Sequence, residues 1–87
     1  MFFAYGISSL VKNFIYSGLA KDVQVRFKQH QQGRNQSTRA YRPFELIYVE
    51  QFETRAGARK KGKFLKSGVG KEFLREIRDR NKFNSLR

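Results

Sequence analysis

At 87 residues, with one proline and no cysteine, the chain makes one domain with room for one modest core, burying roughly 60 to 65% of its unfolded surface. The lack of cysteine excludes a disulfide framework and a thiolate metal site, and makes an intracellular, cytoplasmic location the expectation. Nineteen Lys plus Arg against seven acids give a formal charge of +12, which suits a polyanion: DNA or RNA first, an anionic membrane second, with charge alone unable to separate them.

The opening MFFAYGISSLVKNFIYSGLA has no basic leader, and Lys12 and Asn13 interrupt it well short of a membrane span, so it reads as strands. FFAYGI (2–7) and FIYSG (14–18) are aromatic and β-branched runs joined by SSLVKN, a predicted antiparallel hairpin. Over residues 20–32 the period changes. Val23 and Phe27 are four apart, Leu19 lies a step before them and Gly33 stands at a helix-stop position, which predicts an amphipathic helix. GRNQSTRAYRP (33–43) is a polar loop. FELIYVEQF (44–52) is a strand in which Phe44, Leu46 and Tyr48 alternate against Glu45, Ile47 and Val49; apolar residues on both faces place it centrally in the sheet.

Thr54 caps a predicted second helix to about Lys66, Ser67-Gly68-Val69-Gly70 breaks it, and a third helix over about 70–80 puts Phe73, Leu74 and Ile77 on one stripe. The tail NKFNSLR has no period and reads as frayed, leaving residues 1–80 as the domain and 81–87 as the tail. The expected architecture is α+β, in the order ββαβαα, with a three-stranded antiparallel sheet flanked by helices.

Several side chains stand out. Asp22, Arg26 and His30 recur every fourth residue, on one helical face. Two readings of that face stand: a surface ion pair of Asp22 with Arg26 followed by a solvated histidine, or a phosphate clamp at Arg26 with His30 as proton carrier or phosphate contact. Tyr5 and Tyr16, on neighbouring strands, fit either core tyrosines with wet hydroxyls or a site. Gly18 lets the backbone turn tightly into the helix or approach a ligand. Between Thr54 and Lys71 there are seven Lys or Arg and no acid, with Arg55, Arg59 and Lys66 forming a basic stripe. Gly57 and Gly62 each cost such a helix about 1 kcal/mol relative to alanine, and composition supplies no reason for either.

In register along about residues 2–78, these segments resemble the GIY-YIG nuclease family, in particular its small stand-alone bacterial, UPF0213-like members. Phe3-Ala4-Tyr5 resembles the first motif, Tyr16-Ser17-Gly18 the Tyr-Ile-Gly motif, and DVQVRFKQH the D-L-x-x-R-L-x-x-H helix. RAYRPFELIYVEQFETRAGARKKGKFLKSGVGKEFL is similar to R-P-W-x-L-V-Y-x-E-x-F-x-T-x-x-E-A-x-x-R-E-K-x-L-K-S-G-x-G-R-E-F-L. The resemblance implies hydrolysis of a DNA phosphodiester with Mg²⁺ or Mn²⁺, with Tyr5, Tyr16, Arg26 and His30 as catalytic residues and Gly18 as the structural turn of its motif. Nucleic-acid contacts are then expected from Arg39, Arg42, Arg55, Arg59, Lys63, Lys66 and Lys71.

One position departs from the pattern. Gly62 stands where the family's metal-binding glutamate belongs, and Gly57 where a second glutamate is common, while Glu53 and Glu72 lie about ten residues off. The resemblance with this departure implies an endonuclease-like DNA-binding protein, of a DNA-repair type, with impaired cleavage and no metal ligand at Gly62. The alternatives are an active nuclease using another carboxylate, and a basic accessory protein of a ribonucleoprotein or protein complex. DNA, branched or damaged DNA included, is the expected partner, with RNA second, no membrane, and a monomeric state.

Overall fold

The computed structural model describes residues 1–85. In chain order it runs β1 (Phe2–Ser9), β2 (Ile15–Ala20), α1 (Val23–Gln31), a short 3-10 turn (Arg39–Tyr41), β3 (Phe44–Phe52), α2 (Arg55–Lys66) and α3 (Gly68–Ser85). This is the α+β, ββαβαα order expected. The strands form one antiparallel sheet in the order β2-β1-β3. β1 is therefore the central strand, and it is buried without interruption from Ala4 to Ser9, as a strand covered on both faces should be.

The central placement expected for β3 is corrected: β3 is an edge strand. Its apolar residues occupy both faces because helices cover both. Phe44 and Leu46 join Tyr5, Ile7 and Phe27 in a cluster closed by Val23 of α1, while Ile47, Tyr48 and Phe52 pack with Ala4, Leu65 and Leu74 against α2 and α3. A bulge changes the side. Gly6 pairs with Tyr48 and Ile7 with Leu46, which leaves Ile47 as the extra residue and puts Tyr48 on the face opposite Phe44 and Leu46.

Several element boundaries differ from the sequence reading. β2 continues to Ala20, so Leu19 belongs to a strand, and α1 begins after Asp22, whose carboxylate accepts from the Val25 N–H at 3.1 Å. Asp22 is thus a helix cap and not the surface partner of Arg26. The break expected over 67–70 shrinks to Ser67, whose N–H (3.0 Å) and hydroxyl (2.6 Å) both donate to the Phe64 carbonyl, while its Oγ accepts from the Gly70 N–H at 3.1 Å. One residue closes α2 and opens α3, at an elbow so tight that a Cβ on Gly70 would lie 1.9 Å from the Phe64 carbonyl oxygen.

α3 runs past residue 80 to Ser85. Its later half is tied to the β1–β2 connection by the buried Arg78, which donates to Asn13 Oδ1 at 2.7 Å and to Asp79 Oδ1 at 3.0 Å. Leu86 and Arg87, read as part of the tail, lie outside the described residues. Among the described residues no helix is long and apolar enough to cross a membrane.

Candidate functional site

Tyr5 and Gly18 face each other across the β1–β2 ladder. A Cβ on Gly18 would stand 2.7 Å from the Tyr5 hydroxyl and 2.9 Å from Cζ, so the missing side chain is what lets the phenol lie across β2. The turn expected at Gly18 is corrected accordingly: the residue sits inside a strand and holds space. The phenol ends 2.8 Å from Nε2 of His30, in the last turn of α1.

His30 is fully buried, which overturns its reading as a solvated surface residue. Val23, Phe27 and His30 turn inward together because the i, i+4, i+7 spacing carries the histidine onto the core side of α1. Its Nδ1 lies 2.8 Å from Thr38 Oγ1, and the Thr38 hydroxyl donates in turn to the Asn35 carbonyl at 3.4 Å. With the Thr38 hydroxyl donating to Asn35, the network fits the neutral Nδ1–H tautomer, in which Nδ1–H donates to Thr38 and Nε2 accepts from the Tyr5 hydroxyl. Burial and the nearby Arg26 charge both hold the His30 pKa below its ordinary value, so the ring is neutral at physiological pH. Burial pushes Tyr5 up to about 12, with the Arg26 guanidinium pulling the other way. The Tyr16 ring, half-buried, lies 5.2 Å from the His30 ring.

Arg26 is the exposed member. It donates weakly to Gln29 Oε1 at 3.4 Å, and with Gln29, His30, Arg34, Asn35 and Ser37 it lines a cleft of about 300 Å³. Two guanidiniums and several amides converge there, a donor-rich rim suited to phosphate oxygens. Sequence reasoning missed Thr38, which sits in an aperiodic loop where no spacing marks it, and Arg34, which no periodic pattern joins to Arg26.

The sequence profile of the GIY-YIG catalytic domain matches residues 1–75. The chain belongs to the GIY-YIG family. It is 36% identical over 67 residues to proteins described as UPF0213 proteins from Staphylococcus aureus strains Mu3, Mu50 and N315, with 76% of this chain and 82% of theirs covered. No solved structure matches it.

GIY-YIG nucleases are generally metal-dependent, so the donor set at the expected ligand position matters. Gly62 is buried in α2, and the atoms nearest to a Cβ there all belong to the Leu19 side chain, at 3.2–3.6 Å. Several carboxylates are engaged elsewhere: Glu50 takes the Tyr48 hydroxyl and Lys61 (3.5 Å), Glu72 takes Arg75, Asp79 takes Arg78, and Asp22 caps α1. Among the described residues no three His, Cys, Asp or Glu side chains group as a metal would need. Both His30 nitrogens are already bonded. The residues around Gly62 therefore do not fit a divalent ion at the ligand position expected there.

The cations expected to contact nucleic acid are all exposed, but the fold does not gather them. Arg55 and Arg59 line a second cleft with Lys21, and Lys71 lines another with Asn13 and Arg75. Arg39 and Arg42 crowd Gly33, the left-handed stop of α1 (φ 78°), while Lys63 and Lys66 stand on α2.

Proposed function

We propose that this GIY-YIG domain is an endonuclease-like DNA-binding protein in which the phosphate-facing half of the site works and the cleavage step is impaired. The observation that supports this most is the pairing of a complete Tyr5–His30–Thr38 hydrogen-bond chain beside Arg26 with a glycine at position 62, packed against Leu19. The retained half has a clear chemistry. Arg26 and Arg34 offer fork-shaped, always-charged donors to phosphate oxygens. Tyr5 holds its proton at neutral pH and lies 2.8 Å from Nε2 of His30, so the pair forms a fixed, uncharged wall beside the two guanidiniums. The missing group is an anionic oxygen for a metal, and no step of this reading uses one.

The test is a cleavage and binding assay on branched, nicked and linear DNA with Mg²⁺ or Mn²⁺, beside an Arg26→Ala control. Cleavage by the wild type that Arg26→Ala abolishes sinks the impaired reading. An inert wild type with a cutting Gly62→Glu variant supports it. With a net charge of +12, affinity should fall steeply as salt rises, because several Lys and Arg displace counterions. An affinity insensitive to salt counts against DNA as the partner.

A further inference from the structure

Leu19 has two sides. The inner one packs on Gly62, and the outer one, part of a side chain that is 38% exposed, lines a second cleft of about 320 Å³. The floor of that cleft is apolar, made by Leu19, Phe2 and the buried Ala58. Its rim is cationic: Lys21, Arg55 and Arg59, with no acid among the lining residues. Lys21 Nζ and Arg55 Cζ lie 5.7 Å and 5.6 Å from the centre of the Phe2 ring, so two positive charges stand within cation–π range of it.

A bare cluster of cations would take any phosphate, and a bare apolar hollow any hydrophobe. The two side by side select a ligand with a flat, weakly polar body and a phosphate attached to it. A nucleotide has that form, and the volume is of the size that small-ligand pockets take. In a duplex the base faces are stacked on one another and a protein meets only phosphates, sugars and base edges, whereas an unpaired strand can lay a base face on an aromatic floor.

The geometry points to this cleft as a nucleotide subsite for single-stranded DNA, with Lys21, Arg55 and Arg59 on the phosphate and Phe2 under the base, working without a metal. It rests on the DNA-binding reading but on residues separate from those around Arg26. Gly62 bears on it directly. Arg55, Arg59 and position 62 recur at i, i+4 and i+7 on α2, hence on one side of the helix. A carboxylate at 62 would project toward Leu19, under the cleft, and cancel part of the positive field that holds the phosphate. The glycine that removes the family's metal ligand is also what leaves this cleft uniformly cationic.

The experiment tracks amide NMR signals of the ¹⁵N-labelled full chain, in EDTA and low salt, during titration with inorganic phosphate, thymidine 5′-monophosphate and a short oligothymidylate. The oligonucleotide and the monophosphate should shift Phe2, Lys21, Ala58 and Arg59, and phosphate should do so more weakly. Oligonucleotide affinity should fall about tenfold in Phe2→Leu, which removes the ring and keeps the charge. It should fall at least as far in Arg59→Glu and in Gly62→Glu, and much less in Lys82→Glu, the same charge change as Arg59→Glu on a residue that lines neither cleft. If Gly62→Glu does not fold, Phe2→Leu and Arg59→Glu decide the matter alone. Shifts confined to Gln29, Arg34 and Ser37, or equal losses in Arg59→Glu and Lys82→Glu, overturn the subsite and leave the DNA-binding reading standing. Phosphate acting as strongly as the nucleotide overturns the role of Phe2. Shifts with the monophosphate but not the oligonucleotide assign the cleft to free nucleotide and overturn the strand. No shift with any of the three overturns both readings.

Discussion

Replacing Gly18 with alanine tests the arrangement that holds the site together. The new Cβ would stand 2.7, 2.9 and 3.0 Å from Oη, Cζ and Cε1 of Tyr5, closer than carbon and oxygen tolerate. Neither partner yields easily. Tyr5 is 1% exposed and bonded to His30 at 2.8 Å, and its backbone is paired with Gly18 in the ladder. Overpacking of this kind costs about 1–3 kcal/mol, and pulling the phenol off Nε2 leaves a buried acceptor unsatisfied at about the same cost. Against this, alanine restricts the unfolded chain and returns about 0.5–1 kcal/mol. The clash wins, and the net loss is about 2–4 kcal/mol. A domain of this size has about 5–15 kcal/mol of stability, so the variant remains folded with a clearly lowered urea midpoint. Urea unfolding of the four proteins in a cycle with Tyr5→Phe separates the causes. In the Tyr5→Phe background the hydroxyl contact and the bond to His30 are already gone, so Gly18→Ala should cost about 1 kcal/mol less or better. A Gly18→Ala protein as stable as the wild type, or a cost unchanged by Tyr5→Phe, refutes the claim that Gly18 keeps space for the phenol.

Two further outcomes rest on the same geometry. Because His30 is held neutral, with its folded pKa below the ordinary value of 6.5, the unfolded chain takes up its proton first. The stability it contributes is complete above about pH 6.5 and is lost as pH falls from there through the folded pKa, at up to about 1.4 kcal/mol per pH unit. The stability difference between wild type and His30→Gln, measured by urea titration at about pH 7.5 and about pH 5.5, should therefore shrink on acidification; a difference that stays constant rules the histidine out as the cause. At the α2–α3 elbow, Gly70→Ala puts a Cβ 1.9 Å from the Phe64 carbonyl oxygen and 2.6 Å from Leu65 Cα, while Gly68→Ala meets nothing within 4 Å. The first should lose about 3 kcal/mol or more and the second gain about 0.5–1 kcal/mol. Equal thermal midpoints for the two would contradict the one-residue elbow at Ser67.

Much of this molecule is legible in its sequence. Aromatic and β-branched runs announce β1 and β2, and residues four and seven apart announce α1 and the stripe of α2, because those patterns follow the local backbone. The family motifs, read in register, also single out Tyr5, Tyr16, Gly18, Arg26 and His30 without any knowledge of the fold. Local periods do not carry the identity of the neighbour. The alternation in β3 says that both faces are apolar, but an edge strand sandwiched between helices produces the same pattern as a central one, and the bulge at Ile47 moves Tyr48 across the sheet with no mark in the residues themselves. His30 reads the same in sequence whether it meets water or Tyr5, and Thr38, eight residues further on, becomes its partner only when the loop folds back. Gly18 looks like a turn because glycine permits one, yet the strand pairing brings a phenol over it, and the use of the residue is the space it leaves. Gly62 obeys the same logic. The sequence shows that a carboxylate is lacking there, while the contact with Leu19, and the cationic cleft on the other side of that leucine, exist only because α2 packs across β2. Order and periodicity are written in residues close together along the chain; burial, hydrogen-bond partners and vacant space come from residues far apart in it that the sheet and helices bring into contact.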